Sequence, residues 1–111
     1  MQVVFHHARR EEAEHVLANV ENLLGDDTVA VEDVAVVANA DGVRTLTARS
    51  EHAIRVRTLR EDDGVRFAAC RNSLRSRDIE ASALADGVET VPAGVGELAR
   101  LQDDGYGYVK D

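Results

Sequence analysis

The fold is decided by residues 65–74, which have the sequence VRFAACRNSL. Residues 65–69 form an apolar run that predicts the third strand of the chain, and residues 71–77 predict a short helix. Cys70 stands at the C-terminal end of this strand, immediately before the helix. A strand that leads directly into a helix is typical of alternating β/α chains, in which the strands lie parallel.

The same alternation continues on both sides of this segment. The predicted strands are 3–5, 31–38, 65–69, 88–91 and 106–109, and the predicted helices are 9–24, 50–60, 71–77 and 93–103. Residues 39–42 are predicted to form a loop, and Ile54 is predicted to point inward from the second helix. We therefore predict one domain over residues 1–111, an α/β fold of three α/β/α layers with a five-stranded, mainly parallel sheet.

The charge of the chain limits its partners. The net charge is −8, from 21 acidic and 13 basic residues, so we expect no nucleic-acid partner. Lys110 is the single lysine beside twelve arginines. An acidic surface that is almost free of lysine favours a halophilic protein from a salt-rich cytoplasm. The alternative explanation is the codon bias of a GC-rich genome.

The sequence also indicates a compartment. It has no run of 18 apolar residues, so we expect no membrane span, and residues 1–5 lack the basic region of a signal peptide. A lone cysteine cannot form a disulfide within its own chain, which suits a reducing interior. We therefore expect a cytoplasmic protein.

Candidate site residues follow the strands, because sites in parallel sheets gather at the carboxyl ends of the strands. Cys70 is the candidate catalytic residue. The candidate binding residues are His6, His7, Asn39, Arg71, Asn72, Pro92, Ala93 and Gly94. The sequence has neither a CxxC or HxxxH spacing nor a glycine-rich phosphate loop, so we predict no metal and no cofactor.

Two interpretations of Cys70 remain open on the residues alone. Free cysteines commonly serve as small buried hydrophobes. Between a strand and a helix, however, a thiolate would face unpaired backbone N–H groups and the positive end of the helix dipole. Arg71, Arg75 and Arg77 follow closely and would favour the same charge. The second interpretation predicts a thiol pKa below the ordinary value of about 8.5.

Three segments together resemble the DsrE/DsrF-like family. They are residues 64–74 (GVRFAACRNSL), 91–98 (VPAGVGEL) and 102–110 (QDDGYGYVK), and residues 3–24, with Asn19 and Asn22, are similar to the first β-α unit of that family. The resemblance implies a three-layer fold and homo-oligomers, commonly trimers or hexamers. In that family a cysteine after the third strand carries sulfur as a persulfide between protein partners of a relay, and that residue corresponds to Cys70.

The function expected from this resemblance is a sulfur carrier of an intracellular relay, which accepts sulfane sulfur on Cys70. The alternative is a non-catalytic oligomeric binding or assembly module in which Cys70 is structural. A redox sensor that pairs Cys70 between two copies ranks below both, because the sequence has no second cysteine to resolve an oxidised thiol.

Overall fold

The computed structural model describes all residues 1–111 and contains every predicted strand and helix. The strands are β1 Gln2–His7, β2 Asp33–Ala38, β3 Arg66–Cys70, β4 Glu89–Val91 and β5 Tyr106–Lys110. The helices are α1 Ala13–Leu24, α2 Ala53–Asp63, α3 Arg71–Ser76 and α4 Gly94–Asp103. Short 3-10 helices cover Arg10–Glu12, Ala40–Leu46 and Ala81–Ala83. None of the helices combines the length and the apolar character that crossing a membrane requires.

The five strands form one sheet in the order β4-β3-β2-β1-β5, and every neighbouring pair is parallel. Phe5 lies beside Val36, which lies beside Phe67, so the central strands share one apolar core. This arrangement confirms the predicted three-layer α/β/α fold. In an all-parallel sheet each strand leads into its crossover at the same edge, so the ends of β1 to β4 meet there.

The two faces of the sheet carry cores of different size. Helices α1, α2 and α3 cover one face, where Leu17, Phe67 and Leu74 are almost fully buried. Helix α4 alone covers the other face and buries Leu98 and Leu101 against Val37. The first turn of α4 therefore approaches the carboxyl ends of the central strands from the less crowded side.

Two local predictions were wrong. Residues 40–46 form a 3-10 helix where a loop was expected, and its glycine packs so tightly that a Cβ on Gly42 would lie 2.1 Å from the carbonyl oxygen of His7. Ile54 is 72% exposed although it was predicted to point inward. It stands two residues before the buried Val56, and two residues at 100° each place it on the opposite side of the helix.

A buried carboxylate joins α4 to the sheet. Glu97 is 5% exposed and accepts hydrogen bonds from the guanidinium groups of Arg66 in β3 and Arg100 in α4. Burial raises the pKa of Glu97, but the two guanidinium groups outweigh it and hold the pKa below its ordinary value. The sequence analysis did not find this group, because a glutamate in a helix is usually exposed.

Candidate functional site

The structure brings three predicted site residues together at the carboxyl edge of the sheet. Asn39 follows β2, Cys70 ends β3, and Gly94 begins α4 just beyond β4. A Cβ placed on Gly94 would lie 3.1 Å from the Cβ of Asn39 and 3.3 Å from the Cβ of Cys70. With Ser73, these residues form what we call the Cys70 site.

The thiol of Cys70 lies between the N-termini of two helices. The groups that lower the pKa of the thiol are the hydroxyl of Ser73 and the backbone N–H groups of Gly94, Ser73 and Asn72. Burial raises the pKa of the thiol, but these four groups outweigh burial and hold the pKa below its ordinary value. The surroundings of Cys70 therefore favour the thiolate form more than those of an ordinary cysteine do.

The hydroxyl of Ser73 is oriented by a second contact. The backbone N–H of Ala40 donates to Ser73 Oγ at 2.8 Å, which occupies that oxygen as an acceptor. The hydroxyl proton is consequently free to point at the sulfur of Cys70. Ala40 is able to make this contact because its φ of 48° turns the backbone sharply after β2.

None of the three arginines in residues 71–77 forms a hydrogen bond with Cys70. Arg71 and Arg75 are exposed, and Arg75 donates to the side-chain oxygen of Asn72. The guanidinium of Arg77 turns away to Asp41, whose Oδ1 accepts from its Nε at 2.7 Å. The donors that reach Cys70 are thus backbone groups and a serine, whereas the sequence analysis had expected the arginines to favour the thiolate.

His6 reaches the site through Asn39. The Oδ1 atom of Asn39 can only accept, so His6 Nε2 carries the proton of their 2.9 Å hydrogen bond. His6 Nδ1 then accepts from the hydroxyl of Tyr108 at 2.5 Å. This chain of contacts ties β5 and β1 to Asn39, which lies beside Gly94 at the Cys70 site, and it fixes the orientation of the Asn39 side chain.

His7 points to the opposite face and is buried. Its Nδ1 donates to Asp111 Oδ2 and its Nε2 accepts from Thr45 Oγ1, both at 2.8 Å. Burial lowers the pKa of His7 more than the nearby carboxylate raises it, so the ring is neutral at pH 7. The structure therefore separates the two predicted histidines, and only His6 is connected to the Cys70 site, through Asn39.

Pro92 and Ala93 set the entry of the chain into α4. Pro92 is exposed, and Ala93 precedes the helix with extended backbone angles (φ −145°, ψ 130°). Together they direct the backbone N–H of Gly94 toward Cys70. No three His, Cys, Asp or Glu side chains gather in a cluster that would hold a metal ion.

Ser73 is the site residue that sequence reasoning missed. It lies three residues after Cys70, in the first turn of α3. A signal for it was present, because serine near a helix N-terminus commonly hydrogen-bonds to the first turn. Here the hydroxyl serves the preceding cysteine as well as the backbone of Ala40.

Replacing Gly94 by alanine is expected to slow alkylation of Cys70 several-fold. The added methyl group would press against Asn39 and Cys70 at less than ordinary contact distance, so α4 would move and lengthen the hydrogen bond from its first N–H. The measurement is the rate of reaction with iodoacetamide at pH 7. Gly96→Ala is the matched control, because a Cβ there meets no atom within 4 Å. Equal rates for the two variants would contradict the role of Gly94.

Comparison with known proteins identifies the family. The sequence profile of the DsrE/DsrF-like family matches residues 3–110. The chain is also similar to the solved structure of MTH1491, a protein of unknown function from Methanobacterium thermoautotrophicum. The two are 36% identical, with a TM-score of 0.91, over 99% of this chain and 98% of the other. None of the curated proteins compared with the chain matches it. The chain therefore belongs to the DsrE/DsrF-like family.

Proposed function

We propose that the protein is a sulfur carrier of an intracellular relay and accepts sulfane sulfur as a persulfide on Cys70. The observation that carries the proposal is the place of Cys70 between β3 and α3, against the first residue of α4, where nearby N–H groups and the Ser73 hydroxyl lower the pKa of its thiol. Membership of the DsrE/DsrF-like family supports a role related to sulfur relay. Donors placed at two helix N-termini would stabilise a thiolate before the reaction and the persulfide anion after it.

The transfer is an exchange without net oxidation. The thiolate of Cys70 attacks the outer sulfur of a donor persulfide, R–S–SH, and forms a new S–S bond. The S–S bond of the donor breaks, and its inner sulfur leaves as the thiolate R–S⁻. The product, Cys70–S–SH, is in equilibrium with its anion, Cys70–S–S⁻, in which form the sulfur is held. A second thiolate attacks the outer sulfur of the protonated form, a new S–S bond forms, and Cys70 leaves as its thiolate.

The test is persulfide loading followed by intact-mass measurement. After incubation with a persulfide donor, the wild-type protein is expected to gain one sulfur, and treatment with dithiothreitol should remove it. Cys70→Ser is the matched control because it keeps the size and hydrogen bonding of the side chain, and it should gain none. Equal labelling of both proteins would refute the proposal.

The alternative, an assembly or binding module with a structural cysteine, is supported by the burial of Cys70. Cys70 is only 5% exposed. If the thiol is structural, reagents will modify it only after unfolding. If it is a carrier, methyl methanethiosulfonate will modify it in the native state and bulky reagents will react more slowly.

The proposal includes a homo-oligomer of three or six copies, as the family resemblance implies. Strand β5 supports it, because this edge strand leaves Tyr108 and Val109 partly exposed, at 42% and 38%. The free cysteine and the acidic composition support a reducing and salt-rich cytoplasm. Sedimentation velocity at high and low potassium chloride concentration measures both the copy number and its dependence on salt.

A further inference from the structure

A second group of interacting side chains lies on the face of the sheet opposite to His6. Asp111 Oδ2 accepts a hydrogen bond from His7 Nδ1, and Thr45 Oγ1 donates one to His7 Nε2, both at 2.8 Å. A carboxylate, an imidazole and a hydroxyl joined in this order through the two ring nitrogens form the relay that activates a hydroxyl as a nucleophile. We call this group the Thr45 relay. It has no part in the function proposed for Cys70.

The protons of the Thr45 relay are placed as base catalysis requires. Since a carboxylate only accepts, the ring proton of His7 is on Nδ1, and Nε2 presents its lone pair to the hydroxyl of Thr45. His7 is 1% exposed and neutral at pH 7, because burial lowers its pKa. The ring can therefore take the proton of Thr45, while the carboxylate of Asp111 stabilises the imidazolium that results.

Close backbone packing holds Thr45 against His7. Thr45 lies in the 3-10 helix that follows β2, and a Cβ on Gly42 of this helix would lie 2.1 Å from the carbonyl oxygen of His7 and 3.1 Å from its ring Cδ2. Only a glycine allows the helix to approach the ring so closely. Asp111 is fixed as well, because its Oδ2 also accepts from two backbone N–H groups. The three side chains are therefore held in one arrangement, as a preorganised site requires.

Thr45 lines a cavity of about 910 Å³, which lies between its 3-10 helix and residues 78–83. This volume is typical of sites for small molecules, which measure roughly 300–1,000 Å³. None of the residues of the Cys70 site lines the cavity. A molecule that has both a carboxylate and an ammonium group matches its wall better than an anion does, because the lining carries both signs of charge in equal number. The charged residues are Arg10, Arg44, Arg49, Glu51, Asp78 and Glu80.

We propose that Thr45 is the nucleophile of a second site, which hydrolyses an amino acid that carries an ester on its side chain. In such a molecule the carboxylate and ammonium groups stay free to bind the charged wall of the cavity, and the ester supplies a carbonyl carbon for attack. Thr45 is only 3% exposed, so the acyl group that reaches it must be small.

The reaction consumes one water molecule and takes place in two steps. His7 Nε2 takes the proton of Thr45 Oγ1 as that oxygen attacks the carbonyl carbon. The C–O bond to the leaving alcohol then breaks, and the alcohol takes the proton from His7. Water attacks the acyl group on Thr45 in the same way and releases the acid and the free hydroxyl. Arg44 precedes Thr45 and lines the same cavity, so its N–H groups are the donors available to the carbonyl oxygen as it becomes negative.

The test is covalent labelling followed by peptide mapping, in the Cys70→Ala protein so that no thiol reacts. Phenylmethanesulfonyl fluoride is a small reagent, and the Thr45 oxygen displaces its fluoride to form a sulfonate ester. We expect one added sulfonyl group, on the peptide that contains Thr45. The unlabelled protein should hydrolyse O-acetylhomoserine, measured as release of acetate, about tenfold or more faster than the labelled protein does.

Two threonines of the same cavity provide a matched pair of variants. Thr45→Val removes the hydroxyl and keeps the shape of the side chain, so it should lose both the label and the hydrolysis. Thr47→Val makes the same change at a hydroxyl that donates to the carbonyl of Arg44 and not to His7, so it should keep both. Thr45→Ser retains a hydroxyl and should react at a rate similar to that of the parent protein.

The competing explanation is that the Thr45 relay is only a buried hydrogen-bond network. In that case the folded protein takes up no label, or is labelled at another residue, and either result would overturn the proposal without any Thr45 variant. Labelling of Thr45 without hydrolysis of O-acetylhomoserine would retain the nucleophile and reject the substrate class. Because the protein tested lacks Cys70, the outcome does not depend on whether persulfide loading succeeds or fails.

Discussion

Replacing Ser73 by alanine is expected to slow the reaction of Cys70 at pH 7 by about tenfold or more, since a hydrogen bond to a charged group contributes about 1.5–3 kcal/mol. The Ser73 hydroxyl is a side-chain donor that holds the pKa of the thiol down. Without it, burial raises that pKa and the thiolate becomes scarce at neutral pH. The measurement is the rate of alkylation by iodoacetamide between pH 5 and 10.

Two controls make this result specific to the hydroxyl. Ser73→Thr keeps the hydroxyl and should retain most of the wild-type rate. Ser76→Ala removes a hydroxyl from the same helix, one that donates to the carbonyl of Ser73 and does not serve Cys70, so its pH profile should match wild type. If the alkylation rates of Ser73→Ala and wild type rise with pH at the same midpoint, the hydroxyl does not stabilise the thiolate.

Replacing Asp111 by alanine is expected to cost about 3 kcal/mol of unfolding free energy, because it leaves the buried His7 ring and two backbone N–H groups without their acceptor. The Asp111 side chain is fully buried, and its Oδ2 accepts from His7 Nδ1 and from the backbone N–H groups of Ala8 at 2.8 Å and Arg9 at 3.2 Å. Urea unfolding at a fixed protein concentration measures the loss. Asp104→Ala, at an exposed turn, is the control and should be nearly neutral.

The unfolding free energy lost in Asp111→Ala should become smaller as the pH falls. Burial raises the pKa of Asp111, but the Arg9 and Ala8 N–H groups and the His7 ring outweigh it and hold the pKa below its ordinary value of 3.8. The stability that this carboxylate contributes is therefore complete above pH 3.8 and is lost as the pH falls through the depressed value. Wild type and Asp111→Ala should converge in strong acid. If the difference in unfolding free energy between the two proteins stayed constant down to strong acid, Asp111 would not be ionised in the native protein.

His7, the partner of Asp111, affects the stability of the protein at higher pH than Asp111 does. The pKa of His7 lies below its ordinary value of 6.5, so the unfolded chain takes up a proton on acidification before the native protein does. Stability that is complete above pH 6.5 is therefore lost as the pH falls toward the lowered pKa. The stability of the wild-type protein should therefore begin to fall below pH 6.5, whereas protonation of the Asp111 carboxylate lowers it only in more acidic solution.

The strands and the position of Cys70 were predictable because they depend on neighbours in sequence. Strands buried on both faces, such as β1 and β2, appear as short apolar runs, and helices appear as apolar residues at three- and four-residue steps. The alternation of these two patterns also gives parallel strands, and hence the edge where they end. Cys70 could be placed at that edge from its position between the two patterns alone.

The contacts that define the chemistry were not predictable, because they join residues far apart in sequence. The backbone of Ala40 orients Ser73 from 33 residues away, and His7 meets Asp111 across 104 residues. Glu97 can be buried because it pairs with Arg66, which comes from a different element. The residues next to Glu97 in the sequence indicate an exposed position. Local patterns show where groups stand along an element, whereas these pairings depend on how the elements pack.

The place of β1 in the sheet has a consequence for biogenesis. This strand is made first, yet it lies between β2 and β5, the last strand to be made. Until the ribosome has released residues 106–110, β1 has an unpaired edge, and neither the Tyr108 nor the Asp111 contact can form. Pairings of such long separation in sequence form slowly. A nascent chain that ends at α4 therefore exposes an open, apolar strand to other chains, and the His6 side chain that binds Asn39 lacks its Tyr108 contact until β5 has been made.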